Sequence, residues 1–387
     1  MQDRLARTIE ILQRLVAFPT LSGESNLDFI DYVMAVLNED GIAAELSHDE
    51  TGKRANLFAT IGPEIDGGIV LNGHSDVVPV EGQAWSSDPF RLRRDGGRLY
   101  GRGAVDMKGF LALCLAGLPE LKAMPLSKPI HFSICYDEEN GGFGAPVLVR
   151  QISESTVCPE IAIVGEPTSM RLIAAHKGSI ELETKIKGKA GHASDPRLGA
   201  SAIHSSARFI ARLDDLNAVL RERAPEESPF DPPYSTINVG LLNGGSARNI
   251  IAAETTFEWE VRLATPDDGP FVLSDMERFV SETLLPDLQT SAPEASIKTE
   301  ELVTVPPLEY VPGSPAINLV RDLTGLNRDD AASFGTDAGH FTKGGMSTVV
   351  FGPGDISEAH KPDEFIAEDA LLDGLAFVER LGKKLSV

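Results

Sequence analysis

The chain is poor in cysteine, in basic residues and in long apolar runs. Its three cysteines, Cys114, Cys135 and Cys158, show no CxxC or metal-like spacing, which excludes a disulfide framework and a cysteine zinc site. Lys and Arg number 35 against 58 Asp and Glu, and the net charge of −23 argues against a nucleic acid or an anionic membrane as partner. No segment approaches the ~20 apolar residues that span a bilayer. These features predict a cytoplasmic protein with buried, reduced thiols.

Two domains are expected from the length and from a change of pattern along the chain. The 387 residues exceed the about 250–300 over which one core usually grows. Residues 1–178 begin with an amphipathic helix rather than a signal peptide and then alternate strand and helix patterns. That alternation predicts an α/β fold, a mainly parallel sheet flanked by helices. Residues 179–305 instead predict an inserted α+β domain of strand, helix, strand, strand and helix, so the larger domain is discontinuous, over 1–178 and 306–387.

Imidazole and carboxylate side chains follow several of the predicted strands. They are His74 and Asp76 in GHSDVVP, Asp106 in YGRGAVDMKG, Glu138 and Glu139 in CYDEENGG, Glu166 in VGEPTSM and His360 in SEAHKPDEF. The carboxyl ends of parallel strands form the ligand-binding edge of such sheets. Each motif alone is typical of a loop or a solvated surface. All of them together predict a site for two divalent metal ions, with zinc expected and cobalt or manganese as alternatives.

The pattern also suggests how two metals would be held. A carboxylate has two oxygens, so Asp106 can bridge two ions, one on each oxygen. The remaining ligands then divide into His74 with Glu166 and Glu139 with His360. Two such ions can acidify a bridging water and polarise an amide carbonyl, which is what amide hydrolysis requires.

Two further carboxylates have predicted roles beside these ligands. Asp76 lies on the same side of the strand as His74, so its carboxylate is expected to hold the second imidazole N–H. Glu138 adjoins a ligand and is expected to act as general base and then general acid. A dinucleotide site is excluded, because Asp106 takes the third glycine position of GxGxxG in GRGAVD.

The motif blocks resemble a known enzyme family over nearly the whole chain. GHSDVVPV, LYGRGAVDMKG, CYDEENGG, VGEPTSM, STINVGLLNGGSARNIIA and FGPGDISEAHKPDEF occur in order. They are similar to the dinuclear zinc amidohydrolases and peptidases, which include aminoacylase, succinyl-diaminopimelate desuccinylase and glutamate carboxypeptidase. The resemblance implies a zinc-peptidase-like catalytic domain and an inserted domain that forms a homodimer and acts as a lid. It also implies the metal ligands, Glu138 as base and Asp76 as the residue that orients His74.

The resemblance gives expected roles to three residues of the predicted inserted domain. His192, in KAGHASDP, matches a histidine that in relatives reaches across the dimer and donates to the oxyanion. Without the resemblance, His192 would be typical of a loop histidine that caps a turn. Asn249 and Arg262 are candidates for binding the substrate α-carboxylate through hydrogen bonds. Arg262 is equally typical of a surface strand residue.

The expected substrate is a small N-acyl amino acid. GPGDISEAHKPDEF and SFGTDAGHF are most similar to members that convert N2-acetyl-L-ornithine to L-ornithine and acetate in arginine biosynthesis. Gly335 and Thr336 are expected to line the pocket, and Asp337 is a candidate for the substrate ammonium group. Succinyl-diaminopimelate, acetylcitrulline and general N-acyl amino acids are alternative substrates, and a non-catalytic scaffold is a further alternative. The desuccinylase is disfavoured, because SFGTDAG stands where its SGGTSD-like block is expected.

Overall fold

The computed structural model describes residues 1–155 and 157–387. The helices are α1 (Gln2–Val16), α2 (Leu27–Glu39), α3 (Gly109–Ala123), α4 (Gly144–Glu154), α5 (Ala202–Glu222), α6 (Asp268–Phe279), α7 (Leu285–Gln289), α8 (Pro315–Thr324), α9 (Ala338–Lys343) and α10 (Glu368–Lys384). The strands are β1 (Ala44–His48), β2 (Ala55–Ile61), β3 (Ile69–His74), β4 (Arg93–Asp95), β5 (Arg98–Tyr100), β6 (Ile130–Cys135), β7 (Ile161–Val164), β8 (Ile173–His176), β9 (Gly178–Lys187), β10 (Gly191–His192), β11 (Thr236–Gly244), β12 (Ile250–Ile251), β13 (Glu254–Leu263), β14 (Ser296–Val305), β15 (Asp330–Ala332), β16 (Ser347–Val350) and β17 (Phe365–Ala367). A π-helical turn, Ala104–Lys108, precedes α3.

Residues 1–175, 310–331 and 336–387 form one compact unit, the large unit. Its main sheet has the strand order β1-β2-β6-β3-β7-β16-β8-β15. At the centre β3 runs parallel to β6 and β7, and β7 runs parallel to β16, while the pairs β1–β2 and β2–β6 are antiparallel. All residues of β3 and β6 are buried, as expected of central strands covered on both faces. The predicted α/β fold with a mainly parallel sheet is confirmed.

Residues 176–309 and 332–335 form the second compact unit, the small unit. Its sheet is antiparallel, in the order β11-β13-β9-β14, and the buried aromatic residues Phe209, Phe257 and Trp259 belong to its core. The sequence interpretation missed β14. This edge strand is mostly exposed and carries several charged side chains, which weakens the period-two pattern by which strands are predicted.

The units divide the chain near the predicted boundaries but not at them. The large unit ends at Ala175 and resumes at Tyr310, where residues 178 and 306 were predicted. Residues 332–335 also belong to the small unit, so Gly335 lies in the small unit and Thr336 in the large one. The role of the small unit as a dimerisation and lid domain stays a prediction.

The cysteines correct one expectation. Cys114 and Cys135 are buried, as predicted, but Cys158 is exposed in the segment that follows α4, so its predicted burial was wrong. All three are free thiols. Across the described residues, no helix is both long enough and apolar enough to cross a membrane.

Candidate metal centre

The predicted metal ligands of the large unit meet at one edge of its sheet. His74 is the last residue of β3, Glu139 follows β6 and Glu166 follows β7. These three strands are adjacent and parallel, so their carboxyl ends lie side by side. Asp106 lies in the π-helical turn before α3, and His360 lies in the loop that follows β16. The sequence therefore brings one residue from each of five segments to this edge.

Asp106 lies between two imidazoles and directs one carboxylate oxygen at each. Its Oδ1 is 3.1 Å from His74 Nε2, and its Oδ2 is 3.1 Å from His360 Nε2. On one side, His74 Nε2 is 3.8 Å from Glu166 Oε1. On the other, His360 Nε2 is 2.9 Å from Glu139 Oε2. These distances are compatible with the predicted two ligand sets around a bridging aspartate, and the metal-binding roles themselves stay predictions.

The spacing of the donor atoms fits divalent cations. Ligand atoms of His74, Asp106 and Glu139 lie within 4.8 Å of one another, and so do those of His74, Glu138 and Glu166. Glu166 Oε1 is buried and has no hydrogen-bond partner. A buried carboxylate oxygen in that state is costly unless it binds a cation or a donor. Imidazole and carboxylate are also the donor set that zinc accepts.

The three glutamates of this edge resist ionisation in the absence of a cation, whereas hydrogen bonds with His360 and His74 lower the pKa of Asp106. Burial and Glu166 raise the pKa of Glu138 well above its usual range, and burial and Asp106 do the same to the pKa of Glu166. Burial and Asp106 raise the pKa of Glu139 to about 7. Hydrogen bonds with Asp106 and Glu139 raise the pKa of His360 to about 10. The cluster therefore favours added positive charge, which two divalent ions would supply.

Asp76 orients His74 in a different way from the one predicted. His74 Nδ1 donates to the main-chain carbonyl of Asp76 at 2.9 Å, whereas the Asp76 carboxylate oxygen Oδ1 is 3.6 Å from Nδ1. The carboxylate instead accepts hydrogen bonds from the amides of Glu138, at 3.0 Å, and of Glu139, at 3.1 Å. Asp76 thus fixes the imidazole through its backbone and the Glu138–Glu139 loop through its side chain.

Besides Gly335, three predicted substrate and oxyanion residues belong to the small unit. His192 in β10 pairs with Ile250 in β12. The ring of His192 is exposed, and its Nδ1 is 2.6 Å from Ser194 Oγ. Asn249 is next to His192 in space, because its carbonyl accepts from the Ala193 amide at 3.0 Å. Arg262 is not part of this group, because it lies near the end of β13, whereas β12 directly precedes the start of that strand. Its guanidinium forms an ion pair with Glu260 at 2.6 Å.

Thr336 and Asp337 lie at the start of α9 and are both buried. The Thr336 hydroxyl accepts from the amide of Ala338, the first residue of α9. Asp337 is 1% exposed, and its Oδ2 lies 3.4 Å from Asn72 Nδ2. Burial raises the pKa of Asp337 to about 6. Pairing with a substrate ammonium stays a prediction, as do the pocket roles of Gly335 and Thr336.

Sequence reasoning did not single out three residues that contact the ligand segments. Arg102 lies within YGRGAVD, Glu364 within HKPDEF, and Gln83 in the segment after GHSDVVPV. Arg102 and Glu364 are each 1% exposed and form an ion pair. Their position inside the ligand motifs was the available signal, but the burial of a charged residue cannot be read from one sequence.

Comparison with known proteins shows similarity to one enzyme family over nearly the whole chain. The model of peptidase family M20/M25/M40 matches residues 70–384. An acetylornithine deacetylase of Klebsiella pneumoniae (strain 342) is 34% identical over 374 residues, which are 95% of this chain and 94% of the relative. The M20 family metallo-carboxypeptidase Sso-CP2 of Sulfolobus solfataricus has a TM-score of 0.72 at 19% identity, with 99% of each chain covered. The YXEP protein of Bacillus subtilis, a dinuclear metal binding peptidase, has a TM-score of 0.69 at 16% identity, covering 100% of this chain and 99% of its own.

Proposed function

The chain belongs to the peptidase family M20/M25/M40, and we propose that it is a two-metal amidohydrolase that deacetylates N2-acetyl-L-ornithine. The observation that carries the proposal is the position of Asp106. Each of its two oxygens lies 3.1 Å from a different imidazole. The choice of substrate is supported by the deacetylase that is 34% identical over 95% of this chain. The products would be L-ornithine and acetate, as arginine biosynthesis requires.

Five residues would hold the metals. Asp106 would bridge the two ions, with one ion also bound by His74 and Glu166 and the other by Glu139 and His360. Two divalent ions supply an acidified water and a polarised carbonyl. The ions are proposed to be zinc, with cobalt as a substitute, because both accept imidazole and carboxylate ligands.

Glu138 would move the proton. Its ligand atom lies within 4.8 Å of those of His74 and Glu166, beside one of the proposed metal positions. Its amide is held by the Asp76 carboxylate at 3.0 Å, which fixes the start of the loop. The carboxylate would take a proton from the attacking water while the hydroxyl adds to the acetyl carbon. It would then give that proton to the departing amine nitrogen as the C–N bond breaks.

The small unit would contribute to substrate binding. His192 and Asn249 are adjacent across β10 and β12, so both can face the same substrate. His192 would donate to the oxyanion, and Asn249 would bind the α-carboxylate. Arg262 is the other candidate for the α-carboxylate, and it would have to leave its ion pair with Glu260 to bind one. Gly335 and Thr336 would line the pocket.

A homodimer formed through the small unit is part of the same proposal. Strand β11 is at the edge of the sheet, where Leu241 and Leu242 are 54% and 52% exposed. An exposed apolar edge strand is a ready surface for pairing with another chain. Measurement of the mass in solution would test this proposal. The free thiols support a cytoplasmic location, since such a compartment keeps cysteines reduced.

A substrate panel tests the function. We would measure amine release from N-acetylornithine, N-acetylcitrulline, N-succinyl-diaminopimelate and N-acetylmethionine by the zinc-loaded protein, with a chelator-treated control. Chelator-sensitive turnover of N-acetylornithine above the others is the expected result. Preference for another compound would retain the metal chemistry and reject the substrate. No turnover of any compound by protein with both metals bound would favour a scaffold.

A further inference from the structure

Glu364 holds the main chain of the segment that carries the bridging aspartate. It lies four residues after His360, at the end of the same loop, and its side chain is 1% exposed. Its Oε1 accepts from the amide of Val105 at 2.9 Å and from the amide of Asp106 at 3.2 Å. One buried carboxylate oxygen therefore fixes two successive peptide groups of the π-helical turn.

Arg102 connects the other oxygen of Glu364 back to His360. Its Nη1 donates to Glu364 Oε2 at 2.7 Å, and its Nη2 donates to Gln83 Oε1 at 2.6 Å. Gln83 in turn donates from Nε2 to the main-chain carbonyl of His360 at 3.0 Å. The Arg102 guanidinium also lies over the Trp85 ring, 5.1 Å from its centroid. The chain of contacts thus runs from the Asp106 amide to the His360 carbonyl through three side chains.

The need for such a connection follows from where the two ligands lie. His360 is exposed, has a φ of 62° and belongs to an irregular loop, so regular structure does not fix its position. Asp106 lies in a turn with non-helical backbone angles. Yet the proposed bridging geometry requires the distance between Asp106 Oδ2 and His360 Nε2 to stay fixed. Groups that hold ligand residues commonly change metal affinity or activity by roughly 10–100-fold when they are lost.

A second carboxylate of the large unit is used in the same way. Asp76 accepts from the amides of Glu138 and Glu139, just as Glu364 accepts from those of Val105 and Asp106. Each carboxylate binds two successive amides beside a proposed ligand. A buried ion pair is weak evidence for a stabilising role, because desolvation offsets its attraction. The repeated arrangement instead points to control of ligand geometry.

We propose that Glu364 and Arg102 are positioning residues that, through Gln83, hold the bridging Asp106 and the ligand His360 at a fixed distance from each other. The inference rests on the proposed two-metal site and deepens it. Neither Glu364 nor Arg102 needs to touch substrate or metal in this role. Their effect is transmitted through the two main-chain amides and the His360 carbonyl.

Glu364→Gln is the variant that tests the inference. It keeps the size of the side chain and one acceptor oxygen, but it removes the charge that faces Arg102. We expect the affinity for the ion proposed to bind Glu139 and His360 to fall by roughly 10–100-fold. The visible spectrum of the cobalt-loaded protein should change as well. We also expect kcat to fall while KM for N-acetylornithine stays within about threefold. KM should stay nearly constant because the substitution removes no contact with the substrate. Titration of metal-free protein measures the affinity.

Asp268→Asn provides the matched control. Asp268 is a buried carboxylate of the small unit, 3% exposed, which accepts from Ser235 Oγ at 2.6 Å and from Arg223 Nε at 3.1 Å. It should lose stability without a change in metal affinity. A metal-affinity loss in Asp268→Asn equal to that in Glu364→Gln would make the effect a general one and overturn the inference.

Gln83→Met gives a second, independent variant at a partly exposed position. It breaks the link to His360 and leaves the buried ion pair in place, so it tests the proposal even if Glu364→Gln does not fold. We expect the metal affinity to fall by about tenfold. Unchanged metal affinity and cobalt spectrum in either folded variant would overturn the inference. Wild-type protein that binds no metal would instead refute the proposed function.

Discussion

The small unit and the metal-ligand cluster of the large unit treat buried carboxylates in opposite ways. In the small unit, Asp268 bonds to Arg223 and Asp275 bonds to Arg212, so each negative charge has a positive partner. In the large unit, four carboxylates converge on two imidazoles; they are Asp106, Glu138, Glu139 and Glu166. The small unit thus neutralises its buried acids internally. At this cluster, the large unit collects more negative charge than the two imidazoles can neutralise.

This difference separates a structural use of charge from a functional one. Like charges brought together in a buried place raise one another's pKa values and disfavour the folded state. Sites arranged for function commonly reduce stability in this way. The raised pKa values of Glu138, Glu139 and Glu166 are the sign of that cost. Bound cations would remove it, so the large unit depends on metal in a way that the small unit does not.

The largest expected effect comes from Glu138→Gln. The variant should lose about 10²–10⁴-fold in kcat, because it can no longer accept a proton, and it should keep both metals. Steady-state rates with metal analysis of the same sample measure this. Normal turnover would contradict the assignment of Glu138 as base. It would also show that the charge cluster serves metal binding alone.

His192→Ala tests whether the small unit takes part in catalysis. Loss of an oxyanion donor commonly costs about 10²–10³-fold in kcat, and we expect a loss in that range with unchanged metal content. The measurement is kcat together with metal stoichiometry. Release of one metal ion per chain would instead make His192 a ligand. No effect would leave the small unit without a chemical role through this residue.

A pair of variants compares the two uses of charge directly. Asp268→Asn should lower the free energy of unfolding of the metal-free protein by about 1–3 kcal/mol, because it breaks hydrogen bonds to a charged group. Glu166→Gln should raise that free energy, because it removes one of the crowded acids. Urea unfolding of both variants after chelation measures the difference. If Glu166→Gln were destabilised as much as Asp268→Asn, the comparison between the units would fail.

The smallest expected effect is a pH dependence of the metal-free protein. Glu139 has a pKa of about 7 in the folded state, against about 4.3 when unfolded, so the folded state holds the extra proton between these values. His360, with a folded pKa of about 10 against about 6.5 unfolded, acts in the same direction. Stability should therefore fall as pH rises from about 6 to 8.

Metal loading should reverse this slope, because metal binding releases protons and is favoured at higher pH. Thermal unfolding across this range, with and without zinc, measures both slopes. The same slope in both forms would show that the cluster is not the origin of the pH dependence. The His360→Gln variant, which removes one titrating group of the cluster, should flatten the slope of the metal-free form.

The convergence of the predicted ligands at one edge could be read from the sequence because their positions follow from the fold, while their metal-binding roles stay predictions. A polar residue just after an apolar parallel strand lies at the ligand-binding edge, and His74, Glu139 and Glu166 all follow such strands. The predicted bridging role of Asp106 rests on its two oxygens, which lie near different imidazoles. The family resemblance was confirmed by the match over residues 70–384.

What the sequence could not provide were the contacts made across long separations. The hydrogen bonds of Glu364 to the amides of Val105 and Asp106 join residues far apart in the chain, and no local pattern marks them. The Asp76 carboxylate was assigned to His74 because they are neighbours, yet it binds the amides of Glu138 and Glu139. Local periodicity also failed where a strand is exposed, as in β14.

The carboxylate cluster of the large unit is proposed to be a two-metal hydrolytic site. The most direct test is to measure the metal content per chain and the hydrolysis of N-acetylornithine in the same sample, before and after chelation. We expect two divalent ions per chain, and we expect amine release that chelation abolishes and zinc restores. Protein that binds no divalent ion, or hydrolysis that survives complete removal of metal, would contradict it.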